Sequence, residues 1–472
     1  MAKVKVLLEV EAPRVEGFGA FRAALGSETE AYGQADRVLD AVAGLGVEPD
    51  ENLVPVPMFA AHRAADGTYE PMPELREFAS SETNEDMAPT TVVMPVEVDH
   101  TRLEDLRGRD GVTVWLNSRQ YLYGHWEILG ELDPAEAADF APFDLARSRV
   151  ATDCRPFRPG VALDVIRTLL GVSKVWQDGF RGQNVAVGII DEGVNGGVYP
   201  VSGGFARPAA ELQPGAAPVT SHGSMCAADV LLAAPAARLY DYPFLGVPNS
   251  GGALAMFQAV LDQRRVDGTP HLTTNSYGFY GAPSREEAPR HEVWDIDHPL
   301  HRKVREVVAS GAAVFFAAGN CGTPCPTPNC DLSSIGPGKS VHGSNSLVEV
   351  ITVAAVNSRN ERIGYSSQGP GMFEANKPDF AAYSHFFGNF GPDRPGGAEE
   401  APFDSGTSAA TPVAAGVAAL LLSAFPELTP AELRAALLAG LVNTTGRPWD
   451  RDYGHGILNA AASYSYMLRE KA

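Results

Sequence analysis

The stretch "FDSGTSAATPVAAGVAALLLSAF", residues 403–425, is dominated by Ala, Val and Leu and reads as a buried helix. It opens on Gly406, Thr407 and Ser408 and carries Pro412 only four residues after the serine. Serine at a helix start is commonly an N-cap or first-turn residue. Proline is easy only in a first turn, so Pro412 is expected to mark where the helix begins. A plain core helix needs neither residue.

Upstream, apolar runs at 184–190, 271–278, 312–320 and 348–356 alternate with helical patterns. Strands that are apolar throughout and separated by helices predict an α/β fold, a parallel sheet with helices on both faces. Such sheets place their sites at the strand ends. Asp191 ends "VAVGIID", His222 opens the helical "HGSMCAADVLLAAP", and Asn320 ends "FFAAGN". Taken singly, each has a plain structural role. A strand followed by Asp and Gly is often a turn, a lone histidine is more often structural, and a terminal Asn caps a loop.

Taken with Ser408 they describe one chemistry. Acyl transfer to water needs a hydroxyl nucleophile, an imidazole to move its proton, and a carboxylate to hold the imidazole's tautomer. It also needs donors aimed at the developing oxyanion. The order Asp, His, Ser, with an Asn between His and Ser, matches a known triad arrangement. The helix N-terminus that carries Ser408 favours negative charge.

On these residues the chain from about 160 to 472 resembles the subtilisin-like serine proteases, the subtilases. "VAVGIIDEG", "HGSMCA", "TTNSYG", "AAGN", "GTSAATPVAAG" and the late "DYGHGILNAAAS" are similar to the family's motifs. Glu192, Met225, Cys226 and Val413 depart from the usual residues without removing a reacting group. The resemblance implies that Ser408 attacks, His222 acts as base then acid, Asp191 orients His222, and the Asn320 side chain with the Ser408 amide holds the oxyanion. It implies an extended peptide substrate between two walls, Ser276, Tyr277 and Gly278 on one side and Ala318 and Gly319 on the other. Tyr277 stands where the family is often aliphatic, which points to an altered main pocket and a large apolar or aromatic residue before the cut. The expected function is a serine endopeptidase, autoprocessed and with a restricted processing role. The competing readings are a non-catalytic binding protein of the same fold and an esterase or peptide ligase using the same acyl-enzyme.

Residues 1–125 differ from the rest. Strands are read at 3–10, 52–60, 90–98 and 111–118, with helices at 36–46 and 100–109 and a polar loop at 61–89. That order is the split βαβ, ferredoxin-like α+β unit. Ahead of a subtilase it resembles a propeptide, an intramolecular partner that assists folding and then inhibits. Residues 119–125 would be its tail in the active site, with cleavage within 121–125. Residues 126–160, acidic and proline-rich, read as a connector, and 161–472 as the catalytic domain.

Three of the five cysteines, Cys321, Cys325 and Cys330, follow Asn320 closely. They leave open a disulfide between two of them, free thiols, or zinc completed by His342 or Asp331. Zinc is the least favoured against a disulfide or free thiols, since the spacing is not a paired CxxC. The chemistry requires no cofactor. Structural calcium is common in the family, but no acidic ligand loop is read here. The formal net charge of −21 argues against nucleic acid or an anionic membrane as partner. No signal segment and no run of roughly 20 apolar residues is read, which gives a cytoplasmic expectation.

Overall fold

A computed structural model describes residues 3–11, 42, 44–50, 55–58, 91–123, 152–153, 160–206, 212–244, 248–397 and 401–471. Most of the expected 36–46 helix, the 61–89 loop and most of the 126–160 connector lie outside these residues.

The first sheet joins β1 (Lys3–Glu11), β2 (Glu48–Pro49), β3 (Val56–Met58), β4 (Thr91–Asp99) and β5 (Val112–Leu116). β1 runs antiparallel between β4 and β5, and both β2 and β3 pair with β4. Its two faces are both apolar. Val6, Leu8, Val10, Met94, Val96 and Leu106 make one small core. Leu7, Val56, Met58, Val93 and Trp115 turn the other way, into a core shared with the larger unit. Period-2 alternation therefore divides β1 between two cores rather than between core and water. A short strand β6 (Tyr121–Leu122) follows.

The larger sheet is built from β7 (Thr152–Asp153), β8 (Ala186–Asp191), β9 (Val201–Gly204), β10 (Arg238–Pro243), β11 (Leu272–Asn275), β13 (Ala313–Ala317), β14 (Ile351–Val356), β15 (Arg362–Ile363) and β16 (Phe380–Tyr383). The strand order is β7-β15-β14-β13-β11-β8-β10-β9, with β16 also paired to β14. The central pairings β10·β8, β8·β11, β11·β13, β13·β14 and β14·β16 are all parallel. β12 (Tyr277–Gly278) leaves this sheet and pairs antiparallel with β6 instead.

Helices α1 (His222–Ala233) and α4 (Thr407–Ala424) cover one face of the sheet. Helices α2 (Ser250–Asp267) and α3 (Pro299–Ala309) cover the other. The first sheet packs its second apolar face on α2 and α3, where Leu254, Phe257, Leu300, Val304 and Val307 meet it. Polar contacts tie the same boundary. Arg302 pairs with Glu9 at 2.7 Å, Trp115 Nε1 donates to Glu9 at 2.8 Å, and Lys303 Nζ donates to the Pro57 carbonyl at 2.8 Å.

α4 is long and apolar enough to cross a membrane by length and composition, yet it is 89% buried in the protein. Its proline corrects the expectation drawn from sequence. Pro412 is not in the first turn but is the sixth residue of the helix counted from Thr407. A proline there removes the amide that would bond the carbonyl four residues earlier. That carbonyl belongs to Ser408, and it accepts instead from Ser276 Oγ at 3.2 Å, with Cys226 Sγ at 3.7 Å. The lost helical bond is replaced by ties to β11's end and to α1.

Close approach of α4 to α1 depends on Gly416. A Cβ there would lie 2.3 Å from the Val230 carbonyl oxygen of α1. Gly416→Ala is expected to lower unfolding stability by about 1–3 kcal/mol through overpacking. Denaturant midpoints of the two proteins check it, and an unchanged midpoint would mean the helices have room to spare.

Candidate active site

Asp191 is the last residue of β8, whose side chains are all buried, so the strand delivers a carboxylate to its C-terminal edge. Asp191 Oδ1 accepts from the Glu192 amide at 2.7 Å and lies 2.7 Å from His222 Nδ1. His222 is the first residue of α1, and Ser221 caps that helix by accepting from the Ser224 amide at 3.1 Å. Glu192, one of the departures noted in the sequence, accepts from the His222 amide at 2.7 Å. A carboxylate at a helix N-terminus is favourably placed. Burial works against the imidazolium, but Asp191 first, then Glu192 and Asp404, hold His222 above the usual histidine range. The other ring nitrogen, Nε2, carries no hydrogen bond among the described residues.

Ser408 is the second residue of α4, whose cap Gly406 has φ 82°. That left-handed backbone suits glycine. Ser408 Oγ donates to the Tyr123 carbonyl at 2.8 Å. Asn320 Nδ2 donates to the same oxygen at 3.1 Å. The amide is held in this orientation from behind, since Asn320 Oδ1 accepts from the Thr407 amide at 3.0 Å and from Thr407 Oγ1 at 2.9 Å. Asp191, His222, Asn320 and Ser408 are all buried. Cys226, one turn along α1, sits 3.7 Å from Asp191 Oδ2 and 3.9 Å from His222 Nδ1. Burial, with Asp191 adding, pushes its thiol well above the usual range.

The expected walls are partly corrected. Residues 119–123 lie in the cleft as an extended strand. β6 pairs with β12, Leu122 opposite Tyr277 and Tyr121 opposite Gly278. The Tyr123 amide donates to the Ser276 carbonyl at 3.0 Å. On the other side the partner is not Ala318 and Gly319 but Pro248 and Asn249. The Gln120 amide donates to the Pro248 carbonyl at 2.7 Å, and Arg119 bridges Asn249. Ala318 spends its amide on the Val353 carbonyl. Gly319 instead borders the pocket that holds Tyr123, where an added Cβ would lie 3.3 Å from the Tyr123 hydroxyl.

Tyr123 is buried beside Tyr280, Ala317, Cys321 and Cys330. Its hydroxyl accepts from the Phe279 amide at 3.1 Å. A Cβ on Gly278 would fall 2.1 Å from that hydroxyl, so glycine leaves the room the phenol fills. Tyr277, expected to shape this pocket, does not enter it. Alternation along β12 turns its ring into the core, edge-on to Phe244 at 4.8 Å and Phe316 at 5.8 Å.

Sequence reasoning missed Thr407, Pro248, Asn249, Phe279 and Tyr280. Only Thr407 lies inside a quoted motif, so only it was within reach. Cys321 and Cys330 are joined by a disulfide, and Cys325 is disulfide-bonded as well.

The family model described as the subtilase family matches residues 182–456. Subtilisin DY of Bacillus licheniformis is 28% identical over 312 residues, covering 62% of this chain and 96% of that protein. Subtilisin E of Bacillus subtilis (strain 168) is 30% identical over 298 residues, covering 60% of this chain and 67% of that protein. Among solved structures, fervidolysin from Fervidobacterium pennivorans, described as a keratinolytic enzyme related to subtilisin, superposes with a TM-score of 0.56 at 17% identity. That likeness covers 98% of this chain and 61% of the fervidolysin chain, and it carries the fold alone.

The carboxylates around His222 give a measurable expectation. A histidine held above its usual range stays protonated to higher pH and becomes neutral only as pH rises through the raised value. Glu192→Gln keeps an acceptor for the His222 amide but removes one charge, so the midpoint should move down. Imidazole NMR titration of both proteins checks the sign, and an equal or higher midpoint in the variant contradicts it.

Proposed function

The chain belongs to the subtilase family of serine peptidases, and from that premise we propose an endopeptidase that cuts itself after Tyr123 and then cleaves peptides after tyrosine. The reading is carried by one observation: the Tyr123 carbonyl oxygen accepts from both Ser408 Oγ and Asn320 Nδ2. A nucleophile and an amide donor on one carbonyl are what acyl transfer requires.

The steps follow from the groups present. The Ser408 hydroxyl oxygen bonds to the Tyr123 carbonyl carbon as its proton passes to His222 Nε2, the ring nitrogen without another partner. Asp191 on Nδ1 fixes that tautomer and stabilises the imidazolium. The tetrahedral oxyanion is held by Asn320 Nδ2, with the Ser408 amide at the helix N-terminus as second donor. Collapse breaks the bond to Gly124, whose amine takes the proton from His222. Water, deprotonated by His222, then releases the Tyr123 carboxylate and restores Ser408. Protein groups and water suffice for every step.

In this reading residues 1–123 are a folding partner and then an inhibitor. A parallel sheet is rich in non-local contacts and gains most from a template. The first sheet covers α2 and α3 while its tail fills the cleft, which supports that role. Residues 124–160 connect it to a catalytic domain at 161–472. Substrates would be peptides or proteins bound as residues 119–123 are. Disulfides persist in oxidising compartments, so the bond between Cys321 and Cys330 weighs against the cytoplasmic location expected from sequence.

Intact mass spectrometry of wild type beside Ser408→Ala tests the proposal. The expected result is a wild-type chain cut between Tyr123 and Gly124 and a variant that stays whole. Both chains whole, with no peptide cleaved, would favour a binding protein of this fold. The pocket has its own test. Gly278→Ala places a methyl group where the phenol sits and should lower kcat/KM for cleavage after tyrosine at least about tenfold. Unchanged cleavage after tyrosine would sink the pocket assignment.

A further inference from the structure

Beyond the groups that meet the Tyr123 carbonyl, the tail seats one more side chain in a closed polar site. Gln120 stands three residues before Tyr123 and is buried despite its polarity. Its Nε2 donates to Glu292 Oε1 at 2.5 Å. Glu292 is fully buried, and its Oε2 hydrogen-bonds Ser250 Oγ and lies 3.5 Å from His298 Nε2.

The surrounding hydrogen bonds fix the His298 tautomer and hold Glu292 in place. His298 Nδ1 accepts from the Leu300 amide at 3.3 Å, so Nε2 carries the hydrogen and donates to the Leu116 carbonyl at 3.2 Å. Burial, with His301 next, holds His298 well below the usual histidine range, so the ring is neutral. Ser250 Oγ donates to the Ser118 carbonyl at 3.1 Å and accepts from the Ser118 amide at 3.1 Å. Ser250 Oγ also donates to Glu292 Oε2, which leaves Oε1 as the acceptor facing Gln120. Burial pushes the Glu292 carboxyl up to about 8, which favours the neutral acid at neutral pH.

We propose that Glu292, held by Ser250, is a specificity-determining residue that selects glutamine three residues before the cleaved tyrosine. The selected class is peptides of the pattern Gln-x-x-Tyr, cut after the tyrosine. The inference rests on the reading that residues 119–123 lie as substrate does. A primary amide of glutamine length reaches Oε1 and donates to it. An aliphatic side chain leaves that buried oxygen without a donor, which is costly. An ammonium group would have to be desolvated against a neutral acid, and a glutamate would have no spare hydrogen for Oε1.

The test is steady-state cleavage by the full-length chain after its own processing. The substrates are the tail peptide Ser-Arg-Gln-Tyr-Leu-Tyr-Gly-His and its versions with Leu, Lys or Glu in place of Gln. Wild type is expected to cut the Gln peptide with kcat/KM at least about tenfold above the Leu peptide, with Lys and Glu no better than Leu. In Glu292→Leu the Gln-to-Leu ratio should fall by a similar factor. The ratio is taken within one preparation, so a smaller folded fraction cancels. Equal wild-type rates for all four peptides would overturn the role of Glu292 while leaving the endopeptidase standing. A preference for Lys would overturn the amide reading, since only an ionised carboxylate gives it. Failure to cut any of the four would bring down this inference together with the cleavage reading beneath it.

Discussion

The Tyr123 carbonyl oxygen, 2.8 Å from Ser408 Oγ and 3.1 Å from Asn320 Nδ2, sets the geometric demand that the fold answers. The two donors come from elements far apart in the chain, one opening α4 and the other following β13. Both must stay in place without strain. Thr407 links them directly, because its amide and hydroxyl both donate to Asn320 Oδ1. Thr407 thus holds the Asn320 amide toward the Tyr123 carbonyl. Pro412 contributes from the other side: by vacating the Ser408 carbonyl it lets Ser276 and Cys226 hold that carbonyl, so α4 is tied at its first turn to the strand that binds the peptide and to the helix that carries His222.

On the proposed function, the same cleft would let one segment be first substrate and then inhibitor. Residues 119–123 are bound by backbone pairing on two sides, by the Tyr123 pocket and by the Gln120 site. They are also tethered to a sheet that buries Leu7, Val93 and Trp115 against α2 and α3. A tethered ligand sees a high effective concentration, so in that reading cleavage alone would not empty the site. Release would then depend on losing the sheet's apolar contact rather than on the chemistry. Any peptide in solution competes without that tether and must make up the difference in its own contacts.

The parts of this arrangement that were legible in sequence are those where chemistry fixes residue type at a strand or helix end. His222, Asn320 and Ser408 sit at or just past such an end beside glycine or small residues, and Asp191 ends β8 two residues before Gly193. The parallel sheet was legible because strands buried on both faces are apolar throughout, as β8 and β14 are. The walls were only half legible. Ser276 and Gly278 touch the tail, but Pro248 and Asn249 lie in a segment with no periodicity, and Tyr277 misled because one residue's shift along a strand reverses the side chain's direction. Pro412 misled for a different reason. Position rules describe what a helix tolerates alone, whereas here tertiary partners accept the carbonyl the proline abandons.

Specificity is the part no motif can carry, because it is built by the segments between motifs. Two of them close on the tail. Residues 279–298 bring Phe279 and Tyr280 to Tyr123 and Glu292 to Gln120. Residues 321–330 bring Cys321 and Cys330 to the far side of Tyr123, packed with Tyr280. The second segment begins directly after Asn320, so any motion in it would pass to the amide that donates to the Tyr123 carbonyl. The disulfide joins Cys321 to Cys330 across a sequence separation of nine residues. Such a link removes chain entropy from the unfolded segment, on the order of 2–3 kcal/mol for so short a loop. Its larger effect here is positional. A donor that stabilises developing charge works by being fixed before the charge appears, and in the proposed reaction this loop, joined to itself by the disulfide and packed with Tyr123 and Tyr280, would hold Asn320 in place.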